Sequence, residues 1–321
     1  MKIYTNLIFK GGGVKGVAYA GAIQQLDTMG ILPDIKRVAG TSAGAITATL
    51  LAMGYSSAEI EDIAVNEMDF KSFMDKSGLP GNVYRFLKAF GWYKGDAFKT
   101  WLGNIIKKKT GSEHTTFKDL KTLAESQPDS FRELYVVATN LNRQYPEIFS
   151  VEENINTPIV NAVRMSMSIP LFFKSVSWNG FVMVDGGMGY NYPIDLFDSR
   201  KYVKDTGNIE TRKLEQGDIE INKETLGLWL DTREGIDNLR NRIPRSSRNI
   251  NNLKTFAFSM VDYLMEMANM AHLEEYDWDR SILIDSLDVK ATDFDGVKAR
   301  AADLVESSKK GVIEYFKTVN T

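Results

Sequence analysis

The sequence of 321 residues contains no cysteine and only two histidines, His114 and His272. The lack of cysteine excludes a disulfide scaffold, a thiolate zinc site and a cysteine nucleophile. Two histidines are too few for a metal site built from three imidazoles. The chain also lacks surplus positive charge, with 39 Lys and Arg against 42 Asp and Glu. No nucleic-acid partner is therefore expected, because neutralising phosphates requires an excess of Lys and Arg.

Long hydrophobic runs are absent as well. The longest apolar stretch, residues 43–53, is interrupted by Gly44, Thr47 and Thr49, and it is far shorter than the roughly 18 to 20 residues that a bilayer requires. The first residues lack the apolar region and the cleavage site of a signal peptide. We therefore expect a cytoplasmic protein, with export by a route that needs no cleaved signal as the open alternative.

The residues that are present indicate one large α/β domain, residues 1–321. Hydrophobic residues make up 43% and charged residues 25% of the chain, which is an ordinary globular composition. Residues 4–9 and 37–39 predict strands, and residues 16–29 and 44–53 predict helices, with a glycine turn after each strand. This alternation favours a parallel sheet covered by helices. Further strands are predicted at residues 134–138, 181–184, 226–230 and 282–284, and helices at residues 158–167 and 252–272.

Three segments have a less regular character. Residues 70–101 include nine aromatic residues, which indicate a subdomain core, a dimer contact, or a lid or wall for an acyl chain. A lid or variable subdomain would span residues 69–110. Residues 200–224 are highly charged and predict a surface excursion. The predicted helix at residues 252–272 carries four methionines at helical spacing, which are expected to fill the core.

Residues 40–44 have the sequence Gly-Thr-Ser-Ala-Gly, a G-x-S-x-G motif between a strand and a helix. A tight turn there holds Ser42 in a strained conformation, and its small neighbours let other chain segments pass closely. The hydroxyl would lie at the N-terminus of the following helix, where unpaired N–H groups and the helix dipole favour a developing oxyanion. Ser42 is the candidate nucleophile, and an incidental serine in a glycine-rich turn is the alternative.

Two kinds of base could activate Ser42. The order Ser42, Asp185, His272 matches an α/β-hydrolase triad, but His272 falls in a helical pattern, whereas that fold carries its histidine on a loop. His114 lies in a polar stretch and is expected at the surface. Asp185 ends an apolar strand and precedes two glycines, and partial burial would raise its pKa toward neutrality. An ordinary Asp-Gly turn is the alternative at this position.

Residues 11–16 have the sequence Gly-Gly-Gly-Val-Lys-Gly at another strand-to-helix junction. Three consecutive glycines let several N–H groups converge on one anion, so Gly11, Gly12 and Gly13 are a candidate oxyanion hole. The run also satisfies the dinucleotide fingerprint, but the nearest acidic residue, Asp34, precedes the second strand instead of following it. Lys15 either neutralises an anionic headgroup or is an exposed loop lysine.

These three motifs, in this order, resemble the patatin-like phospholipase family. Residues 136–141 (Val-Val-Ala-Thr-Asn-Leu) and 162–170 (Ala-Val-Arg-Met-Ser-Met-Ser-Ile-Pro) are similar to the segments that the family carries before its aspartate. Residues 190–193 (Tyr-Asn-Tyr-Pro) look like its continuation, and residues 292–294 are also similar. The resemblance covers most of the chain, weakly at residues 70–110 and 200–224.

The resemblance implies a three-layer α/β/α sandwich with a mainly parallel central sheet, and a Ser-Asp catalytic dyad instead of a triad. Ser42 would be the nucleophile and Asp185 the base. The N–H groups of Gly11, Gly12 and Gly13 would form the oxyanion hole, with Ala43 as a further donor. The implied reaction is hydrolysis of carboxylic esters of lipids through an acyl-enzyme, without a metal or another cofactor.

The sequence thus predicts a lipid acyl hydrolase of the phospholipase A type that acts on lipids or phospholipids and contacts a membrane surface transiently. Two alternatives stay open. One is a regulatory or membrane-recruiting module whose site is catalytically silent. The other is a thioesterase or acyltransferase that uses the same site. A homo-oligomer and an activating partner are also compatible with the sequence.

Overall fold

A computed structural model describes residues 3–75, 90–213, 217–241, 243–247, 249–294 and 296–319. The described strands, numbered in chain order, are β1 Asn6–Phe9, β2 Arg37–Thr41, β3 Gly91–Tyr93, β4 Glu133–Asn140, β5 Tyr145–Phe149, β6 Leu171–Phe173, β7 Val176–Trp178, β8 Phe181–Asp185, β9 Ile209–Arg212, β10 Ile219–Asn222, β11 Thr225–Asp231 and β12 Ser281–Asp285. The described α-helices are α1 Tyr19–Thr28, α2 Ala43–Ala52, α3 Ser57–Asp62, α4 Asp96–Thr110, α5 Phe117–Ser126, α6 Ile159–Ser166, α7 Arg233–Arg240, α8 Leu253–His272 and α9 Val297–Val319.

An eight-stranded sheet forms the centre of the fold. Seven strands lie in the order β12-β11-β1-β2-β4-β8-β7, and β5 pairs with β4. The five strands from β12 to β4 are parallel to their neighbours, whereas β5, β8 and β7 pair in antiparallel fashion. The prediction of a mainly parallel sheet is confirmed, and all six strands predicted from the sequence belong to it.

Helices and loops cover both faces of this sheet. In β1, Leu7 and Phe9 point into one apolar layer, and Ile8 between them points into the other, as the two-residue period of a strand requires. Helices α1, α2 and α9 pack in the first layer, while Tyr192, Trp229 and their neighbours fill the second. The two buried layers explain why the central strands are apolar on both faces, and they give the predicted sandwich.

The sheet register brings separate motifs to one place. Phe9 in β1 pairs with Gly40 in β2, so the glycine loop that follows β1 lies beside the turn that follows β2. Thr41 pairs with Val137 in β4, and the next residue of β4, Ala138, pairs with Asp185 in β8. The residues after β1 and β2 therefore meet the last residue of β8 at one edge of the sheet.

The two irregular segments differ in what they contain. The charged residues 200–224 include the antiparallel pair of strands β9 and β10, which their weak periodicity did not predict. In the aromatic segment, Phe70, Phe73 and Phe98 are buried in the core. Tyr84 and Phe86 lie outside the described residues, as does the middle of the predicted lid or subdomain. The lid and the single-domain organisation stay predictions.

In helix α8 the burial of the methionine side chains was predicted wrongly from the sequence. Met260, Met267 and Met270 were expected to fill the core, but each is exposed to solvent. The reason is that α8 lies on the outside of the fold and turns only one face inward. No helix in the described ranges combines the length and the apolar composition that crossing a bilayer would require.

Candidate active site

Ser42 occupies a sharp turn between β2 and α2. Its backbone has φ 54° and ψ −124°, a conformation that is strained for a residue with a side chain. Gly40 and Gly44 make the turn possible, because a Cβ on either residue would overlap the backbone. A Cβ on Gly40 would lie 2.3 Å from the Gly44 carbonyl oxygen, and one on Gly44 would lie 2.3 Å from the Phe9 carbonyl oxygen. The small residues of the motif are thus explained by close backbone approach.

The turn aims the Ser42 hydroxyl at Asp185. Ser42 Oγ donates a hydrogen bond of 2.7 Å to Asp185 Oδ2. The other carboxylate oxygen, Oδ1, accepts a 2.8 Å hydrogen bond from the Gly187 N–H, which fixes the orientation of the carboxyl group. Ser42 is 3% exposed and Asp185 is fully buried. The structure therefore places the predicted nucleophile and the predicted base in direct contact and away from bulk water.

Burial changes the acidity of Asp185. Desolvation raises the pKa of the Asp185 carboxyl from its ordinary 3.8 to about 7, although the hydrogen bonds from Ser42 and Gly187 act in the opposite direction. A buried carboxyl loses the water that stabilises its charge, and two donors replace that water only in part. Near neutral pH this carboxyl group is therefore a much stronger base than an exposed aspartate.

The glycine loop runs directly beside the Ser42 turn. A Cβ on Gly16 would lie 2.9 Å from Ala43 Cβ, so the loop and the start of α2 are in close contact. The Gly11 N–H donates a 3.0 Å hydrogen bond to the Asn191 carbonyl oxygen. Among the described residues, no acceptor pairs with the N–H groups of Gly12 and Gly13. Two of the three predicted donors are therefore available, and Gly11 shapes the loop instead of donating to an oxyanion.

Gly13 has a conformational reason to be glycine. Its φ is +60°, and a Cβ on it would lie 2.2 Å from the Ala291 carbonyl oxygen. The next N–H group, that of Val14, donates a 2.9 Å hydrogen bond to the same oxygen. The hydrogen bond between Val14 and Ala291 thus holds the loop in one shape, which keeps its two unpaired N–H groups in a fixed direction.

Lys15 differs from both expectations. It is buried, and its Nζ lies 3.5 Å from Asp231 Oδ1. It is therefore neither an exposed loop lysine nor free to meet a headgroup. Asp231 also accepts a 2.7 Å hydrogen bond from Arg245, and Lys10 lies nearby as a further buried cation. The charges of Lys10, Lys15 and Arg245 outweigh desolvation and hold the pKa of Asp231 far below its usual range.

Neither histidine joins the site. The His114 side chain is 71% exposed and lies beside Glu113. His272, at the end of α8, packs against the Tyr190 ring, with the ring centroids 4.7 Å apart and the ring planes tilted by 52°. No hydrogen bond of either imidazole to Ser42 is present in the described part of the chain. A triad with His272 as its base thus finds no support in the geometry.

Sequence reasoning missed the residues that support the dyad. The Ser42 N–H donates a 2.8 Å hydrogen bond to Ser166 Oγ. The Asp185 N–H donates to the Ser168 carbonyl oxygen, and Arg164, which is buried, donates a 2.6 Å hydrogen bond to Ser168 Oγ. All three lie in residues 162–170, a segment that carried a family resemblance. Their roles depend on tertiary contacts that the pattern itself does not reveal.

The described residues hold no group of three or more His, Asp or Glu side chains that could bind a metal ion. Ser42 contacts the Asp185 carboxyl and the Ser166 hydroxyl, and the glycine loop with its two unpaired N–H groups lies beside the Ser42 turn. Such a set can remove a proton from the serine, stabilise an oxyanion and return the proton to a leaving group. The arrangement thus suits acyl transfer to and from a serine.

Comparison with known proteins is consistent with this geometry. The model of the patatin-like phospholipase family matches residues 7–198. The chain is 28% identical over 327 residues to the uncharacterized protein YqhO of Bacillus subtilis (strain 168), covering 98% of this chain and 99% of that protein. It is 28% identical over 195 residues to the probable lipid hydrolase 463L of Invertebrate iridescent virus 6, covering 61% and 63%.

The crystal structure of VipD from Legionella pneumophila has the same fold, with a TM-score of 0.66 and 18% sequence identity over 99% of this chain and 67% of that one. The family match spans more than half of the chain and includes the glycine loop, the Ser42 turn and Asp185. The chain therefore belongs to the patatin-like phospholipase family.

Proposed function

We propose that this protein is a lipid acyl hydrolase that cleaves carboxylic esters of phospholipids through an acyl-enzyme on Ser42. The observation that carries the proposal is the 2.7 Å hydrogen bond from Ser42 Oγ to the Asp185 carboxylate. Family membership supports lipid esters as the substrate class. The name of the viral relative, a probable lipid hydrolase, supports the same class.

In the first half of the reaction, the Asp185 carboxylate takes the proton of the Ser42 hydroxyl as Oγ attacks the ester carbonyl carbon. The carbonyl oxygen becomes an oxyanion, which the N–H groups of Gly12 and Gly13 stabilise. The C–O bond to the alcohol then breaks, and the proton on Asp185 passes to the leaving alkoxide. Ser42 now carries the acyl group as an ester, and the deacylated lipid leaves.

In the second half, water replaces the alcohol. Asp185 takes a proton from the water, whose oxygen attacks the acyl carbon, and the same N–H groups stabilise the second oxyanion. The bond to Ser42 Oγ breaks, Oγ regains its proton from Asp185, and the fatty acid is released. A single group can serve as base and acid in turn because its pKa, about 7, lies near the working pH.

The test is product analysis with matched variants. Wild type, Ser42→Ala and the control Ser126→Ala are incubated with phospholipid, triacylglycerol and acyl-CoA, and the products are identified by mass spectrometry. We expect wild type and the control to release fatty acid and lysophospholipid, and Ser42→Ala to release neither. Cleavage of acyl-CoA alone would overturn the phospholipid assignment. Failure of a fluorophosphonate probe to label Ser42 would favour a catalytically silent module.

A further inference from the structure

Three consecutive residues at the end of helix α6 contact the dyad. The Ser166 hydroxyl accepts a 2.8 Å hydrogen bond from the Ser42 N–H. Met167 Sδ lies 3.7 Å from Ser42 Oγ, and the Ser168 carbonyl oxygen accepts a 2.9 Å hydrogen bond from the Asp185 N–H. One short segment therefore contacts both members of the dyad, which lie 143 residues apart in the sequence.

The contact with Ser166 stabilises the turn that carries Ser42. A backbone with φ 54° and ψ −124° is strained and persists only where its surroundings fix it. Ser166 is fully buried and gives the Ser42 N–H an acceptor in a site that is closed to bulk water. Without this hydroxyl the buried N–H would lose its partner. The turn would then be free to relax, and Oγ would move away from the carboxylate.

Arg164 fixes the residue that holds the base. Its Nη1 donates a 2.6 Å hydrogen bond to Ser168 Oγ, and the Ser168 hydroxyl donates a 2.8 Å hydrogen bond to the Arg164 carbonyl oxygen. These two bonds hold Ser168 in place, and with it the carbonyl oxygen that accepts the Asp185 N–H. In the described part of the chain the guanidinium donates no hydrogen bond to Asp185 itself. Arg164 therefore acts on Asp185 through Ser168.

The other donors of the Arg164 guanidinium bind backbone carbonyl groups. Nε donates a 3.1 Å hydrogen bond to the Gly95 carbonyl oxygen, and Nη2 donates to the carbonyl oxygens of Lys94 and Lys174. Lys94 directly follows β3 and Lys174 directly follows β6, and these two strands pair with each other. Arg164 thus connects the ends of this strand pair to the segment that contacts the dyad.

Burial makes the charge of Arg164 unfavourable. The residue is 6% exposed, and among the described residues its hydrogen-bond acceptors are neutral oxygens. Desolvation lowers the pKa of its guanidinium to about 10, and the charges of Asp96 and Asp75 oppose this effect only in part. A buried cation that lacks a bound counter-ion is costly to desolvate. A contribution to stability as an ion pair therefore does not explain why a guanidinium lies beside Ser168.

We propose that Ser166 and Arg164 are positioning residues of the dyad, with Ser166 fixing the nucleophile and Arg164 fixing the base through Ser168. The 2.7 Å hydrogen bond from Ser42 Oγ to Asp185 tolerates little displacement, since catalytic groups must be held to within about 0.5 Å. A misplacement of about 1 Å lowers a rate by about 10²-fold. The inference rests on the proposed function, because it assigns roles in the same proton transfer.

The test of Arg164 uses a second buried arginine as its control. Arg164→Lys keeps the positive charge but loses the planar fork of donors. The matched control is Arg132→Lys, because Arg132 is also buried and donates to backbone carbonyl oxygens, those of Leu51 and Leu32. Arg132 directly precedes β4 and therefore lies at the end of the sheet opposite to the dyad. Both variants remove the same donors from a buried site, but only one of these sites adjoins the dyad.

The test of Ser166 is built in the same way. Ser166→Ala removes the acceptor of the Ser42 N–H. Its control, Ser308→Ala, removes a hydroxyl of α9 that is equally buried and donates to the Val305 carbonyl oxygen. For every protein, a fluorophosphonate probe measures the rate at which Ser42 is labelled and the final labelled fraction. A water-soluble chromogenic ester measures kcat and KM.

We expect Arg164→Lys and Ser166→Ala to lower kcat and the labelling rate by about 10- to 100-fold, with KM nearly unchanged and with complete final labelling. Loss of folded protein would instead lower the final labelled fraction and leave the rate per labelled site unchanged, which would overturn the proposal. Both controls should react at the rate of wild type.

A wild-type labelling rate in Arg164→Lys or in Ser166→Ala would also overturn the proposal, as would an equal loss of rate in the matched controls. The proposed function fails separately. A wild-type protein that neither turns over an ester nor reacts with the probe would overturn the proposed function, and the positioning roles with it. Turnover by wild type together with unimpaired variants would overturn the positioning roles alone.

Discussion

Ser42 Oγ lies 2.7 Å from Asp185 Oδ2, although 143 residues separate the two along the chain. Three strands bring them together: Thr41 pairs with Val137, and Ala138 pairs with Asp185. The serine and the aspartate therefore depend on one continuous hydrogen-bonded register through β4. Neither residue forms a hydrogen bond with a histidine in the described part of the chain, which is why we propose the carboxyl group as the base.

The first prediction concerns the dyad as a unit. Ser42→Ala and Asp185→Asn should each lower kcat for a soluble ester by roughly 10³- to 10⁶-fold, because each removes one end of the proton transfer. Residues that act as one unit are not additive, so the double variant should be no slower than the slower single variant. Thermal melts would verify folding. Full activity of Asp185→Asn in a steady-state assay would refute its role as the base.

The second prediction is the pH dependence of activity. The base must be ionised, and the pKa of Asp185 is raised to about 7. Below about pH 7, kcat/KM should therefore fall about tenfold per pH unit, and above it the rate should level off. A histidine would titrate in a similar range, so the variant His114→Ala/His272→Ala is the control. If kcat/KM of this variant no longer decreased below about pH 7, the group that controls the pH dependence would be an imidazole and not Asp185.

The third prediction is the pH dependence of stability. The folded pKa of Asp185 is above the 3.8 of a free carboxyl, so the folded state keeps its proton where the unfolded state has lost it. The contribution of Asp185 to the free energy of unfolding should therefore decrease as the pH rises from about 4 to about 7, and then stay constant. Asp185→Asn lacks this titration. Urea melts of wild type and Asp185→Asn at several pH values would measure the free energy of unfolding of each protein. The two plots of this free energy against pH should converge or cross between about pH 4 and pH 7. Parallel plots would contradict the raised pKa of Asp185.

The local geometry of the candidate site could be predicted from the sequence. Ser42, Asp185 and the glycine loop each lie where a strand ends next to glycine, and the backbone geometry of such turns is set by adjacent residues. The six main strands were predicted for a similar reason, since short apolar runs bounded by turns identify buried strands. Both features depend on a few consecutive residues, which a single sequence displays.

What the sequence could not predict depends on distant neighbours. The period of Met260, Met267 and Met270 identifies one face of a helix, but it does not reveal whether another element covers that face. The burial of Lys15 likewise follows from Asp231 at the end of β11, which only the sheet order brings beside the glycine loop. Ser166 was unremarkable for the same reason, because its hydrogen bond to the Ser42 N–H is tertiary.

The fourth prediction tests the glycine loop. A Cβ on Gly12 would lie 3.0 Å from Leu230 Cδ2, so Gly12→Ala should shift the loop and misdirect its N–H groups. Loss of one oxyanion donor lowers kcat by about 10²- to 10³-fold, and we expect Gly12→Ala to approach the lower figure. Leu230→Val removes the Cδ atoms and makes room. The double variant should thus recover activity in steady-state kinetics, whereas Leu230→Val alone should resemble wild type; absence of any recovery would refute the steric explanation.

The last prediction concerns the buried charges beneath the glycine loop. Asp231 compensates Lys15 and Arg245, and its side chain is 6% exposed. Asp231→Asn would leave Lys15 without a counter-charge in a desolvated site and Arg245 with Glu266 alone, which should lower the free energy of unfolding at neutral pH by about 3 to 5 kcal/mol. The matched control is Asp303→Asn, which breaks an exposed pair with Arg300 and should cost less than about 1 kcal/mol.

The pH dependence separates this effect from simple loss of packing. The neighbouring cations hold the pKa of Asp231 below that of a free carboxyl, so its stabilising contribution is present above the ordinary pKa and is lost as the pH falls below it. The stability difference between wild type and Asp231→Asn should therefore be full at neutral pH and shrink in strong acid. Denaturant melts at several pH values would measure it. A difference that does not change with pH would mean that Asp231 acts through its shape and not through its charge.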